Sequence, residues 1–112
     1  MEKFDYFKEA PIAVTVCDKD GKVLEMNDKS VSTFIKDGKS LIGKSLLDCH
    51  PEPARTKLLG LLENHNVNAY TISKNGIKKL IYQMPWFAEG EFAGYIELSM
   101  QIPEEMPHFV RK

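Results

Sequence analysis

The last third of the chain has a residue pattern that fits consecutive strands of a β-sheet. Between residues 68 and 102, three segments of alternating side chains are separated by Lys74-Asn75-Gly76 and by Glu89-Gly90-Glu91. Asn-Gly pairs and glycine-containing turns tolerate the positive φ angles of tight hairpins. We therefore predict three antiparallel strands, at residues 68–73, 76–87 and 92–102.

The same alternation predicts which side chains face the interior. A period of two with one apolar side is typical of an antiparallel sheet that covers the core with one face. In the last strand the apolar side holds Gly94, Ile96, Leu98, Met100 and Ile102. In the middle strand we expect the row Leu80, Tyr82, Met84 and Trp86 to face the helices, with Met84 and Trp86 lining a cavity. Ile81 and Tyr95 then fall on the outer face.

The first third of the chain predicts a hairpin followed by a short helix. Two apolar runs, 12–17 and 23–26, flank the turn residues Asp18-Lys19-Asp20-Gly21. Asn27 or Asp28 follows, and a side-chain oxygen at either position can accept from the free N–H groups of a helix's first turn. Val31, Phe34 and Ile35 supply the buried stripe of this helix, and Asp37-Gly38 ends it.

The residue pattern in the middle of the chain predicts the longest helix, which we expect to form one wall of a ligand-binding site. Residues 40–47 form a short helical piece interrupted by Gly43, and Pro51 and Pro53 then force a change of direction. Pro53 suits the start of a new helix, whose apolar face follows at helical spacing and which stops near Asn66. Cys49 and His50 lie just before this helix, where they can meet a ligand. Arg55 offers a partner for an anion if it turns inward.

The ends of the chain carry less information. Residues 1–10 place Phe4 and Phe7 three apart, which suits a short amphipathic helix broken by Pro11. Such a helix must dock on the domain or on a second copy of the chain. Residues 11–102 then form one domain, and residues 103–112 a tail without periodicity.

Composition excludes several classes of partner. With 15 basic and 16 acidic residues and a net charge of −1, the chain lacks the basic footprint of nucleic-acid-binding or membrane-surface proteins. It contains no apolar run long enough to span a bilayer, and its first residues are unlike a signal peptide. We expect a cytoplasmic protein in which Cys17 and Cys49 stay reduced.

In its order of elements the chain resembles the PAS domain. The segments that carry the resemblance are APIAVTVCDKDGKVLEMN, LIGKSLLDCHPEPAR, and KNGIKKLIYQMPWF with GEFAGYIELSMQI, within residues 8–102. The resemblance implies an α+β fold: a five-stranded antiparallel sheet, with short helices and one longer helix over one face. It also implies a bacterial signal-transduction module that binds a small ligand or forms a homodimer. With no output domain of its own, it would act through a separate signalling partner.

The cofactor patterns known in this family are not reproduced. In flavin-binding relatives a reactive cysteine follows the glycine before the long helix, and here Gly43-Lys44-Ser45 leads to Leu46 instead. In haem-binding relatives a histidine on the long helix holds the iron, and here that region reads Thr56, Lys57, Leu58. A haem or flavin sensor is therefore disfavoured but stays an alternative, and the cofactor is left unknown.

The sequence supports a catalytic or zinc-binding role less well than a ligand-binding role. Adjacent Cys49 and His50 rarely reach each other across a helix start, and no third group orients them. A zinc site would need two further ligands, and Cys17 and His65 have no recognised spacing. We expect a non-enzymatic sensor, with a purely structural dimerisation module as the other alternative. The candidate ligand-pocket residues are Cys49, His50, Arg55, Tyr70, Met84 and Trp86.

Overall fold

The computed structural model of the chain describes residues 5–34 and 40–112, apart from the side chains of Phe34 and Cys49. The elements are β1 (Ala13–Asp18), β2 (Val23–Met26), α1 (Asp28–Phe34), α2 (Leu46–Cys49), α3 (Ala54–Asn64), β3 (Asn68–Lys74), β4 (Ile77–Ala88) and β5 (Glu91–Ile102). Across the described residues the strands form one antiparallel sheet in the order β2-β1-β5-β4-β3, with the helices inserted between β2 and β3. The predicted α+β class with a five-stranded sheet is confirmed.

The last three strands lie where the turn signals predict them. Asn75 and Gly76 have φ angles of 54° and 78°, and Glu89 and Gly90 have φ angles of 53° and 81°. Each pair therefore adopts the left-handed conformation that a two-residue hairpin turn requires. The turns fix the ends of β3, β4 and β5 to within about two residues of the prediction, as is usual for element boundaries.

A bulge between β4 and β5 sets the register of the sheet. Phe87 lies opposite Phe92, but Trp86 lies opposite Gly94, so Ala93 is an extra residue in β5. Beyond this point every pairing is shifted by one residue, and Gln83 consequently lies opposite Glu97.

Gly94 is required at this bulge. Its φ is 155°, and a Cβ added to it would collide with the carbonyl oxygen of Cys17 and lie 2.7 Å from Nε1 of Trp86. The indole N–H of Trp86 crosses this gap and donates to the Cys17 carbonyl at 3.0 Å. Because Gly94 has no side chain, the indole of Trp86 on β4 can pass over β5 and bond to β1.

The helices cover only one of the two sheet faces, which we call the inner face. Leu61 of α3 packs there against Cys17 and Tyr95. The Tyr95 hydroxyl lies 2.7 Å from the Leu61 carbonyl oxygen, to which it donates. Ile81 shares this face and is buried.

The expectation that the apolar row of β4 faces the helices is wrong. Leu80, Tyr82, Met84 and Trp86 lie on the opposite face, the outer face, and the prediction that Ile81 and Tyr95 lie there is wrong as well. No helix in the described residues packs on the outer face. Alternation separates the two sides of a strand, but it does not say which side the helices cover.

Asn27 joins three parts of the fold. Its Oδ1 accepts from the backbone N–H groups of Val14 and Ser30, so Asn27 is the cap of α1, one of the two residues considered for that position. Its Nδ2 donates to the carbonyl oxygens of Phe7 and Ile12. A buried amide with all four bonds made fixes the N-terminal segment against β1 and α1.

Two predicted helical segments differ from the structure. Residues 6–9 form a turn, while residues 1–4 lie outside the described part, so no helix is seen in the described portion of the N-terminal segment. Residues 40–45 run beside β2 instead of forming a helix. There the Gly43 N–H donates to the Val23 carbonyl and the Val23 N–H to the Lys44 carbonyl, so only α2 is helical.

The remaining features are brief. The predicted end of α1 at Asp37-Gly38 lies outside the described residues. Residues 103–112 form an exposed tail without regular structure. None of the helices in the described ranges is long and apolar enough to cross a membrane.

Candidate functional site

A cavity of about 960 Å³ lies between the inner face of the sheet and helices α2 and α3. It is partly open to solvent, and its wall is mainly apolar. Pockets of this size and character are typical of small-molecule sites. The apolar side chains that line it include Met26, Leu41, Leu46, Leu58, Leu61 and Ile81.

A row of polar side chains crosses the sheet at the floor of the cavity. Asn68 Nδ2 donates to Gln83 Oε1 at 2.7 Å, and Gln83 Nε2 donates to Glu97 Oε2 at 2.7 Å. Thr15 lies opposite Glu97 on β1 and bonds Ser30 of α1 through its hydroxyl. The hydrogen-bonded row of Asn68, Gln83 and Glu97 therefore links β3, β4 and β5, and it ends in the carboxylate of Glu97.

Glu97 brings the negative charge of the cavity floor. Among the described residues, the structure's ion pair joins Lys8 and Asp28, and no cation pairs with Glu97. Of the cations on this side of the sheet, Lys57 lines the cavity with an exposed side chain, whereas Lys79 lies on the same sheet face outside the cavity lining.

His50 lines the cavity from the end of α2. Its Nδ1 lies 2.6 Å from the carbonyl oxygen of Leu46. A carbonyl oxygen only accepts, so Nδ1 carries the proton, and in the neutral ring Nε2 is an acceptor. The backbone contact thus fixes the tautomer of a histidine at the cavity wall.

Arg55 does not supply an anion partner in the cavity. Its Nη1 donates to the carbonyl oxygen of Leu47 at 2.7 Å. The guanidinium therefore holds the start of α3 against the end of α2, where free carbonyl groups attract a cation. The expectation of an inward anion-binding role is corrected accordingly.

Tyr70 and Cys17 lie on the wall and floor of the cavity. Partial burial, and then the negative charge of Glu97, raise the pKa of the Tyr70 hydroxyl. Burial is also the main cause that raises the pKa of the Cys17 thiol, and Asp18 and Glu97 add to it. Both groups are consequently protonated at neutral pH, and the Cys17 thiol is a poor nucleophile.

Met84 and Trp86 do not belong to the site. Met84 pairs with Ile96 and Trp86 with Gly94. Along β5 these two partners alternate with Tyr95 and Glu97, which face the helices, so Met84 and Trp86 lie on the outer face. Of the six residues predicted from the sequence, the structure brings His50 and Tyr70 together at the cavity. Cys49 ends α2, but its side chain lies outside the described part of the chain.

The polar row is the part of the site that the sequence pattern did not reveal. Gln83 and Glu97 lie on the same sides of their strands as Ile81 and Tyr95, for which the alternation predicts the outer face. Counting outward from the two-residue turn places Gln83 opposite Ile96, and only the bulge at Ala93 brings it opposite Glu97. The glycine at 94 next to the alternating run was the available signal for that bulge.

The cavity offers little for the cofactors weighed above. Leu46, at the position of the flavin-reactive cysteine, lines the cavity with an apolar side chain. His50 is the histidine that lines it within the described ranges, and α3 carries Thr56, Lys57 and Leu58 where the haem ligand would stand. No group of three or more metal-ligating side chains occurs among the described residues.

The fold and the cavity together define an α+β domain whose cavity is large enough for a small molecule. Its strand order, its helices on one face and its internal cavity agree with the resemblance noted from the sequence. A family model described as the PAS fold matches residues 7–64, which is half of the chain. The chain belongs to the PAS family.

Solved structures support the same fold. The PAS domain of BvgS from Bordetella pertussis is 23% identical, with a TM-score of 0.65 over 88% of this chain and 82% of that one. The PAS domain of the histidine kinase ThkA is 21% identical, with a TM-score of 0.64 over 80% and 97%. A sensory box sensor histidine kinase from Vibrio cholerae is 14% identical, with a TM-score of 0.66 over 88% and 86%. The comparison with curated proteins finds no matching relative.

Proposed function

We propose that the chain is a non-enzymatic sensory module that binds a small, largely apolar ligand in the cavity beneath α2 and α3. Binding would alter β5, whose Tyr95 and Glu97 line the cavity, and the change would pass to a signalling partner. The observation that carries the proposal is the cavity of about 960 Å³, which is mainly apolar and has a polar row at its floor.

The relatives favour a signalling role over catalysis. PAS modules are generally sensory, and two of the similar structures are parts of histidine kinases. The cavity supports the same reading, because its thiol, that of Cys17, is kept protonated by burial. A cytoplasmic signalling pathway that ends in a histidine kinase is therefore the context we infer.

Native mass spectrometry and thermal-shift measurements on the purified protein test ligand binding. We expect a carried small molecule, or a rise in the unfolding temperature with members of a metabolite panel, because a ligand that binds only the folded state stabilises it. An absorbance spectrum of the same sample distinguishes a colourless ligand from haem or flavin. A protein that carries nothing and responds to no panel member would contradict the proposal.

Neighbouring leucines on α3 provide a matched pair of variants. Leu58 lines the cavity, whereas Leu59 is 44% exposed and does not. We expect Leu58→Trp to fill the cavity and weaken ligand binding at least about tenfold, and Leu59→Trp to leave it unchanged. Equal affinities in the two variants would place the ligand elsewhere.

A second candidate function is homodimerisation through the outer face of the sheet. Its apolar side chains are half-buried, and its charged residues, which include Asp18, Glu25 and Lys78, stand near its margins. An apolar face with its charges at the margins can pack on a second copy of itself about a twofold axis without burying those charges. The central apolar residues are Val14, Val16, Leu80, Tyr82, Met84 and Leu98.

Sedimentation analysis over a range of concentrations tests this second candidate. Leu98→Lys places a charge at the centre of the outer face, and we expect it to give a monomer at concentrations where the parent protein is a dimer. Leu59→Lys, on the exposed side of α3, is the control and should leave the dimer intact. A parent protein that is monomeric at high concentration would eliminate the dimer.

A further inference from the structure

The polar row at the cavity floor has a direction that its end residue imposes. An ionised carboxylate only accepts hydrogen bonds, so Gln83 must turn its Nε2 toward Glu97. The Gln83 Oε1 then faces β3, and Asn68 must present its Nδ2 to it. The Asn68 Oδ1 is consequently left as an acceptor, and the whole row is polarised by Glu97.

The charged group that remains available to a ligand is an acceptor, while the Tyr70 hydroxyl and the second N–H of each amide remain as neutral donors. Glu97 Oε2 accepts from Gln83, while Glu97 Oε1 makes no hydrogen bond within the described residues. No buried side-chain nitrogen or oxygen in that part of the chain lacks a partner, so this oxygen is accessible from the cavity or solvent. His50 Nε2 is an acceptor in the neutral ring, because Nδ1 donates to Leu46. The Tyr95 hydroxyl already donates to the Leu61 carbonyl oxygen, so its proton is not available to a ligand.

The charge of the floor acts in the same sense. Glu97 is half-buried in a mainly apolar cavity, where a charge interacts more strongly than in water, and no cation of the described chain pairs with it. Lys57 is the cation of the cavity lining, and its exposed side chain places it toward the solvent side. A positive charge at the floor would therefore meet the unpaired carboxylate first.

We propose that the cavity selects ligands with an apolar body and a cationic or N–H-rich head, which Glu97 holds at the floor. This selectivity rests on the proposed function, since it assigns a ligand class to the same cavity. The head would donate to Glu97 Oε1, and the apolar body would lie against the leucines of α3. Ammonium, amidinium and protonated heteroaromatic groups have this donor character.

Three probes with one apolar body test the selectivity: phenethylamine, 3-phenylpropionate and phenethyl alcohol. The amine is protonated at pH 7, as a lysine side chain is. By NMR titration of the labelled protein, we expect phenethylamine to bind at least about tenfold more tightly than 3-phenylpropionate, with the alcohol between them. The resonances that move should belong to residues of β5, β4 and α3 around the cavity.

Charge-removing variants test whether Glu97 holds the amine. In Glu97→Gln, which keeps the shape of the side chain, we expect phenethylamine to bind about tenfold more weakly and phenethyl alcohol to be unaffected. Glu63→Gln is the matched control: Glu63 is exposed on α3 and does not line the cavity, so this variant should leave phenethylamine binding unchanged. Circular dichroism and thermal unfolding of each variant show that it is folded.

The outcomes distinguish the selectivity from the function beneath it. If 3-phenylpropionate binds as tightly as phenethylamine, or if Glu97→Gln does not weaken phenethylamine, the cationic-head proposal is overturned while ligand binding stands. If none of the three probes perturbs cavity residues at concentrations up to several millimolar, the ligand-binding function of the cavity is contradicted together with its selectivity.

Discussion

The two faces of the sheet are built from the same strands, but the helices cover only the inner face within the described residues. The inner face carries a polar row, Asn68, Gln83 and Glu97, and the helices cover it and leave a cavity. The outer face is the more apolar one, and no described helix packs on it. Apolar content alone therefore does not decide which face of a sheet the helices cover.

The difference shows how a sheet can serve two purposes. On the inner face, hydrogen-bonded polar side chains do not pack closely against the aliphatic side chains of the helices, and a cavity is left between them. On the outer face, apolar side chains need no hydrogen-bond partners, so this face can be buried by packing against another apolar surface. The bulge at Ala93 affects both faces, because it sets which residues of β4 and β5 lie side by side in the inner polar row and in the outer apolar row.

The largest expected effect tests the bulge itself. Gly94→Ala should lower the free energy of unfolding by about 3 kcal/mol or more, because its Cβ would collide with the Cys17 carbonyl oxygen and displace Trp86. Chemical denaturation measures the change. Gly90→Ala is the control: Gly90 also has a positive φ, of 81°, but nothing lies within 4 Å of an added Cβ, so the loss should be about 1 kcal/mol. Equal losses would contradict the role of the close contact.

A truncation on each face comes next. Ile81→Ala should cost about 2 to 4 kcal/mol, because Ile81 is 5% exposed beneath the helices. Leu80→Ala, one residue away on the outer face, should cost about 1 kcal/mol in the monomer, since Leu80 is only half-buried. Denaturant titration at low protein concentration compares them. A Leu80→Ala loss as large as that of Ile81→Ala would mean that the outer face is packed within the monomer.

The hydrogen bond that crosses the outer face should have a smaller effect. Trp86→Phe removes the indole N–H that donates to Cys17, and we expect a loss of about 1 kcal/mol. Tyr82→Phe is the control on the same face, because its hydroxyl makes no hydrogen bond in the described residues, and its loss should stay below about 0.5 kcal/mol. If both variants lose the same stability, the indole bond contributes nothing of its own.

The smallest effect concerns the pH dependence of the inner face. Burial raises the pKa of the Cys17 thiol above its ordinary value, so the folded state keeps a proton that the unfolded state releases first. This contribution is complete below the unfolded-state pKa and is lost as the pH rises through the folded-state pKa. We expect the parent's free energy of unfolding to fall more steeply above about pH 8.5 than that of Cys17→Ala. Parallel pH profiles would contradict this.

Local residue chemistry predicted the elements of this fold well. Asn75-Gly76 and Gly90 marked two hairpins because tight turns need positive φ, and Asn27-Asp28 marked the start of α1 because either side chain can cap a helix; the structure uses Asn27. The prolines before α3 marked its beginning. These signals depend on one or two neighbouring residues, so they survive without knowledge of the tertiary structure.

The candidate site was predicted less completely. His50 and Tyr70 lie at the cavity, but Met84 and Trp86 were assigned to the wrong side of the sheet. Glu97 was not identified, because a glutamate in an alternating strand is ordinarily a solvent-facing residue. Arg55 was considered for an anion, yet its nearest acceptor is a backbone carbonyl, and sequence does not reveal which backbone groups a fold brings close.

The amino-acid sequence by itself determined the strands, their turns, the long helix and the family, since each follows from local conformational preference and their order along the chain. Only the tertiary structure decided which face of the sheet the helices cover. Alternation divides a strand's side chains into two sets but is symmetric between them. One extra residue at Ala93, and the glycine beside it, determined which polar groups meet at the cavity floor.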